Sequence, residues 1–232
     1  MKKIIALFLV TAMCLSLVAC DGGNKKALEL SKSAFDNIQE AYEKLDIIGN
    51  DILTVWKLGI YNEGKLRTWK TGFAFLCDNV SLSRDDVLDG LAYLDYATGD
   101  SYSTYEKCKE AVREFYDITF YSSASSSGLL ARYDNTFSAC IDLVVESYRQ
   151  NGLLSEIELL LSSASESIKE LSKNHSDYEH YENVKKYFTA TNTYFNFCSN
   201  PSGTLEQAME NINNYNNTAD ECYNSLYYFF EE

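Results

Sequence analysis

The chain reads as an all-α protein, an elongated antiparallel helical bundle of about seven or eight helices. Three observations carry that expectation. The 232 residues include one proline, Pro201, and 11 glycines; sheets need frequent turns, and a chain this poor in turn residues is helical. Apolar residues recur at steps of three and four almost everywhere after residue 27, which is the period of a helix with one buried face. The stretches between these periodic runs are short, so consecutive helices should reverse direction.

The first long run carries Ala34, Ile38, Ala41, Leu45, Ile48, Ile52, Val55 and Gly59. Its alternating steps of four and three form a heptad seam. They predict a helix of about 35 residues, roughly 50 Å long, nearly aligned with its neighbours. Shorter helices are expected on Leu66, Trp69, Phe73 and Leu76, on Val87, Leu91 and Leu94 with Gly99 as a stop, and on Tyr105, Cys108, Val112, Phe115 and Thr119. Ser122 to Gly128 is the only low-complexity stretch. It marks a candidate division near 123–128, the alternative being two four-helix bundles in place of one.

The second half continues with Leu130, Tyr133, Phe137, Cys140, Val144 and Ser147, ending at Asn151-Gly152, a good helix C-terminal pair. Leu154, Ile157, Leu161, Ala164, Ile168 and Leu171 define the next seam, and Tyr181, Val184, Phe188, Thr191, Phe195 and Cys198 the one after. The last carries Leu205, Ala208, Ile212, Tyr215, Ala219, Cys222, Leu226 and Phe229. Ser103 with Glu106, Ser155 with Glu158, Ser176 with Glu179 and Thr204 with Gln207 read as capping boxes.

The N-terminus has a different character. Lys2 and Lys3 precede an apolar run from Ile4 to Ala19, the layout of a secretory signal. The run is short for a bilayer, which takes about 20 apolar residues. It closes on Leu17-Val18-Ala19-Cys20, which resembles the lipobox of bacterial lipoproteins. The resemblance covers only the export segment. It implies that residues 1–19 are a signal peptide removed on export and that the Cys20 thiol receives a diacylglycerol. Residues 20–26 would then tether a helical domain, 27–232, to the extracytoplasmic face of the cell membrane. Each buried methylene contributes about 0.8 kcal/mol, so two or more acyl chains anchor stably. The tether Asp21-Gly22-Gly23-Asn24 is expected to be flexible and to reach at most about 14 Å. Lys25 and Lys26 follow it and favour anionic headgroups.

The formal net charge is −14, and loss of Lys2 and Lys3 on cleavage would lower it by two more. Such a surface repels nucleic acid. Five cysteines remain beyond Cys20: Cys77, Cys108, Cys140, Cys198 and Cys222. An odd number cannot all pair within one molecule, and four of the five fall on apolar helix positions, as small buried hydrophobes do.

No phosphate loop, dinucleotide fingerprint or haem signature occurs, so no cofactor is implied. The two histidines fall in one segment, His175, Asp177, Glu179 and His180, a weak candidate for a metal site. With Ser176 as an N-cap, the same acids simply favour a helix N-terminus. Nucleophilic catalysis commonly needs a histidine beside the nucleophile, and two histidines in one turn argue against an enzyme. Aromatic residues are the most suggestive feature. There are 18 tyrosines, too many for the seams. Tyr178, Tyr187, Tyr194, Tyr223, Tyr227 and Tyr228 are candidate ligand or partner contacts, with an apolar face and a polar tip, the alternative being a wide, aromatic-rich core between several helices. Arg113 and Arg132 lie in apolar surroundings and could pair with an acidic ligand or with an acidic neighbour. The sequence thus points to a lipid-anchored binding module, docking an envelope protein through aromatic faces. The alternative is a small-ligand receptor with an aromatic pocket between helices and, behind it, an enzyme or metal protein.

Overall fold

The structure is a computed structural model that describes residues 2–61, 76–98, 103–121 and 137–230, with side chains for 23–60, 76–97, 103–114 and 140–230. Among the described residues it is all-helical, a helical bundle of seven helices: α1 Lys2–Tyr61, α2 Arg84–Thr98, α3 Tyr105–Tyr121, α4 Phe137–Gln150, α5 Leu153–Asn174, α6 Tyr181–Ser199 and α7 Leu205–Phe230. The helix expected on Leu66, Trp69 and Phe73, the division near 123–128, and Arg132 lie outside the described residues.

The chain forms two compact units that interleave along the sequence. Unit 1 is residues 1–41, 159–192 and 217–232; unit 2 is residues 42–158 and 193–216. Helices α1, α5, α6 and α7 contribute to both.

In unit 1 the seam positions Ala34, Ile38 and Ala41 of α1 are fully buried, as are Ala164 and Leu171 of α5. Val184 and Tyr187 of α6 and Leu226 of α7 complete the layer. Each large apolar side chain so buried stabilises the fold by about 1.5–3 kcal/mol. Phe35 adds ring contacts to Tyr187, Tyr223 and Phe230, with centroids 6.1, 5.7 and 5.3 Å away. Lys32 Nζ donates to the carbonyl of Phe230 at 3.3 Å, closing one of the orphan acceptors at the end of α7.

In unit 2 the α1 seam continues through Leu45, Ile48, Ile52 and Val55, all buried. Helix α2 packs on α3 and α4. A Cβ on Gly90 would lie 2.7 Å from the backbone nitrogen of Ser147, so only glycine lets α2 and α4 approach this closely. Asp51, buried in this core, accepts three hydrogen bonds. They come from the Ser81 N–H at 2.7 Å, the Ser81 hydroxyl at 3.1 Å and the Tyr148 hydroxyl at 2.6 Å. A carboxylate so supplied ties α1, the 76–83 segment and α4 together.

Several local expectations are corrected. The seam of α6 runs through Tyr187 and Tyr194, both fully buried, while their neighbours Phe188 and Phe195 are half-buried. Tyr187 donates its hydroxyl to Gln39 Oε1. Tyr194 lies where a Cβ on Gly49 would stand 1.9 Å from its hydroxyl oxygen. At the end of α7 Phe230 is buried, and Phe229, expected in the seam, is 39 % exposed. The Thr204–Gln207 capping box forms reciprocally, at 2.9 and 3.2 Å. Ser155, by contrast, sits inside α5, whose start is capped by Asn151 Oδ1 accepting from the Leu153 N–H at 3.0 Å. At α3 the capping hydroxyl is that of Thr104 rather than Ser103. Gly152, at φ 88°, supplies the left-handed residue that the Asn-Gly pair predicts.

The stretch expected to be a flexible tether is helical. Helix α1 passes through residues 20–26 without a break. No proline interrupts it, and Gly22 and Gly23 cost only about 1 kcal/mol each relative to alanine. Among the described residues no helix is long and apolar enough to cross a membrane.

Candidate functional site

The residues that converge on one site lie in unit 1, where the α5–α6 connection meets the start of α1 and the end of α7. Helix α5 stops at Asn174, and the chain then makes two tight turns. The Tyr178 N–H donates to the His175 carbonyl at 3.0 Å and the Tyr181 N–H to the Tyr178 carbonyl at 3.0 Å. The helix expected to start at Ser176 starts at Tyr181 instead, with Glu182 as the acid of its first turn. Ring packing accompanies the delay. His180 turns inward onto Phe229, with centroids 3.7 Å apart, and the edge of Tyr178 meets His180 at 5.6 Å. These ring contacts compete with an N-cap at Ser176, worth about 1 kcal/mol.

An open pocket of about 560 Å³ results, lined by Asn24, Lys25 and Leu28 of α1, Asp177, Tyr178 and Glu179 of the turns, and Phe229 of α7. Its walls combine apolar surface, two aromatic rings, one cation and two carboxylates, within the size range of ligand pockets. The opposite charges do not meet: among the described residues, neither Lys25 nor Asp177 makes an ion pair. Glu179 Oε1 stands 3.5 Å from His180 Nε2. Two buried polar atoms here have no hydrogen-bond partner, the Tyr178 hydroxyl and His180 Nε2. Burial first, then the charge of Glu179, pushes the Tyr178 phenol up from its ordinary value, so it stays a protonated donor.

The surface beside the pocket is aromatic. Tyr228 is 75 % exposed, and Tyr227, Phe229 and Leu28 are exposed with it. Tyr227 stacks on Tyr223 at 5.1 Å, and Tyr223, half-buried, stacks on Phe35. On the α1 side Lys26 pairs with Glu170 at 3.6 Å.

Of the sequence candidates, Tyr178, Asp177 and Glu179 line the pocket, His180 backs it, and Tyr227 and Tyr228 flank it. Tyr187 and Tyr194 are corrected from contact residues to core residues: with no exposed surface they cannot touch a partner. Around His175, Asp177, Glu179 and His180 the described residues show no grouping of three or more side chains placed to hold a metal ion. His180 faces Phe229 while the two acids face solvent. Arg113 is held by Asp89 Oδ1 at 3.0 Å, beside Lys109 at 2.6 Å. All five described cysteines are free. Burial pushes the Cys77 and Cys108 thiols up to about 11, so neither is a ready thiolate nucleophile.

Sequence reasoning missed Asn24, Lys25 and Leu28, which belonged to or adjoined the expected tether, and Phe229, assigned to the core. The signal for Phe229 was present. Tyr227, Tyr228, Phe229 and Phe230 are consecutive, and at about 100° per residue they cannot all face one core.

No protein-family model, curated protein or solved structure matches the chain.

Proposed function

We propose that the protein is a lipid-anchored module on the extracytoplasmic face of the cell membrane, and that it acts by binding, docking an envelope protein through the aromatic end of unit 1. The single observation that supports this is one of position. Cys20 and the pocket residue Lys25 are five residues apart on one helix, about 8 Å of axial rise. The exposed cluster of Leu28, Tyr227, Tyr228 and Phe229 adjoins that pocket. A diacylglyceryl group on Cys20 would therefore hold this surface at the bilayer, raising the effective concentration of membrane partners. Tyrosine and phenylalanine suit such an interface, because they bring large contact area at low conformational cost.

A photo-crosslinking residue in place of Tyr228, in the full chain in its own membrane, tests this. The expected result is a discrete adduct with an envelope protein that disappears in the Cys20→Ser chain. The same probe at Leu159, 70 % exposed on α5, should give none. Equal background from both positions would remove the docking role.

The pocket favours a second function, reception of a small ligand. It is not the cleft of interhelical tyrosines expected from sequence, since Tyr187 and Tyr194 are core. It is a surface site with Tyr178 and Phe229 as its rings.

A further inference from the structure

The pocket at the α5–α6 turns holds opposite charges that do not neutralise one another, and this says what it takes. We infer that it binds a zwitterion, an ammonium and a phosphate or carboxylate joined by a short spacer. The inference rests on the pocket being a ligand site, as proposed above, and names its ligand class.

Three features converge. Lys25, Asp177 and Glu179 line one cavity of about 560 Å³. Lys25 and Asp177 make no ion pair among the described residues, so both charges are open to a ligand. A ligand carrying both signs can meet both, with each end against its complement. Tyr178 and Phe229 line the same cavity as the two carboxylates, and aromatic faces with carboxylates are the usual environment of a bound ammonium. The Tyr178 hydroxyl is buried and lacks a partner. A ligand whose anionic end lies against Lys25 would reach this donor only if the Tyr178 side chain turns toward it. A ligand with a single charge would leave one side of the pocket unmatched.

Two sources supply this chemistry, the phosphoethanolamine headgroup of a phospholipid and a free zwitterion such as an amino acid. The test is calorimetric titration of the full chain, extracted from membranes in an uncharged detergent. Phosphoethanolamine and glycine are the zwitterionic probes; inorganic phosphate and ethanolamine are the single-charge controls. At least one zwitterion should bind tenfold or more tightly than either control. Lys25→Gln and the double variant Asp177→Asn/Glu179→Gln should each bring it down to control affinity. These side chains are solvent-exposed, so folding is not at risk, and Lys26→Gln should leave binding unchanged. A headgroup as the source predicts that phosphatidylethanolamine vesicles compete with the soluble probe; a free zwitterion as the source predicts that they do not. Zwitterions binding no better than phosphate or ethanolamine, or variants binding like the parent chain, would overturn the inference. Neither result depends on lipidation or crosslinking, so failure of the docking role is read separately.

Discussion

Asp51 and Tyr194 show two ways in which a buried polar group is accommodated. Asp51 accepts three hydrogen bonds, each contributing about 1.5–3 kcal/mol when the acceptor is charged. Asp51→Ala strands the Tyr148 hydroxyl in the core. It should cost about 3 kcal/mol or more by urea unfolding, and a loss below about 1 kcal/mol would show that the cluster is dispensable. The Tyr194 hydroxyl is buried with no partner, whereas that of Tyr187 has Gln39. Tyr194→Phe should therefore be neutral or stabilising, and Tyr187→Phe should cost about 1 kcal/mol; the same measurement with the order reversed would contradict these placements. Gly49→Ala drives a methyl group into Tyr194. Against a helix-propensity gain of about 1 kcal/mol, overpacking of about 1–3 kcal/mol should leave the variant less stable.

At the scale of the helices, capping separates what a sequence pattern states from what it only suggests. Thr204 and Ser155 both begin the same four-residue pattern, but only Thr204 caps a helix. Thr204→Ala should lower stability by about 1 kcal/mol and Ser155→Ala by less than about half that. Equal losses would place a cap at Ser155 after all. The seams of α1 and α5 were legible because their buried positions are small or aliphatic and flanked by charge, leaving one solution to the period. Those of α6 and α7 were legible at Val184, Thr191, Cys198, Ala208, Ile212, Ala219, Cys222 and Leu226 but not at Phe188, Phe195 and Phe229, because adjacent aromatics such as Tyr187 and Phe188 satisfy the same period equally well. What decides between them lies elsewhere in the chain, in Gln39 and Gly49, and local periodicity cannot report it. The site was legible in half. His180, Tyr178 and the two acids stand out in one short segment, but the α1 and α7 residues that complete the pocket meet them only through folding.

For the whole molecule, acid–base behaviour follows from neutral groups shielded from solvent, Cys108 buried and Cys77 and Tyr105 half-buried. Burial, helped by Asp78, Asp95 and Asp89 respectively, raises the Cys77 and Cys108 thiols to about 11 and the Tyr105 phenol to about 12. Groups that stay neutral when folded but ionise near pH 9 to 10 when unfolded give full stability below that range and lose it as pH rises. The melting temperature should therefore fall steadily from about pH 9 to 11, and a flat profile there would contradict the burial of these groups. The proposed membrane attachment belongs to the same scale and turns on Cys20: the aromatic surface has its proposed docking role only if the chain is held at the bilayer by that residue. The direct measurement is the intact mass of the protein extracted from the membranes of its own cells. Lipid anchoring predicts a chain that begins at Cys20 and carries a diacylglyceryl group, with Cys20→Ser releasing it from the membrane. A chain that keeps residues 1–19, or one cut elsewhere and free of lipid, would contradict it.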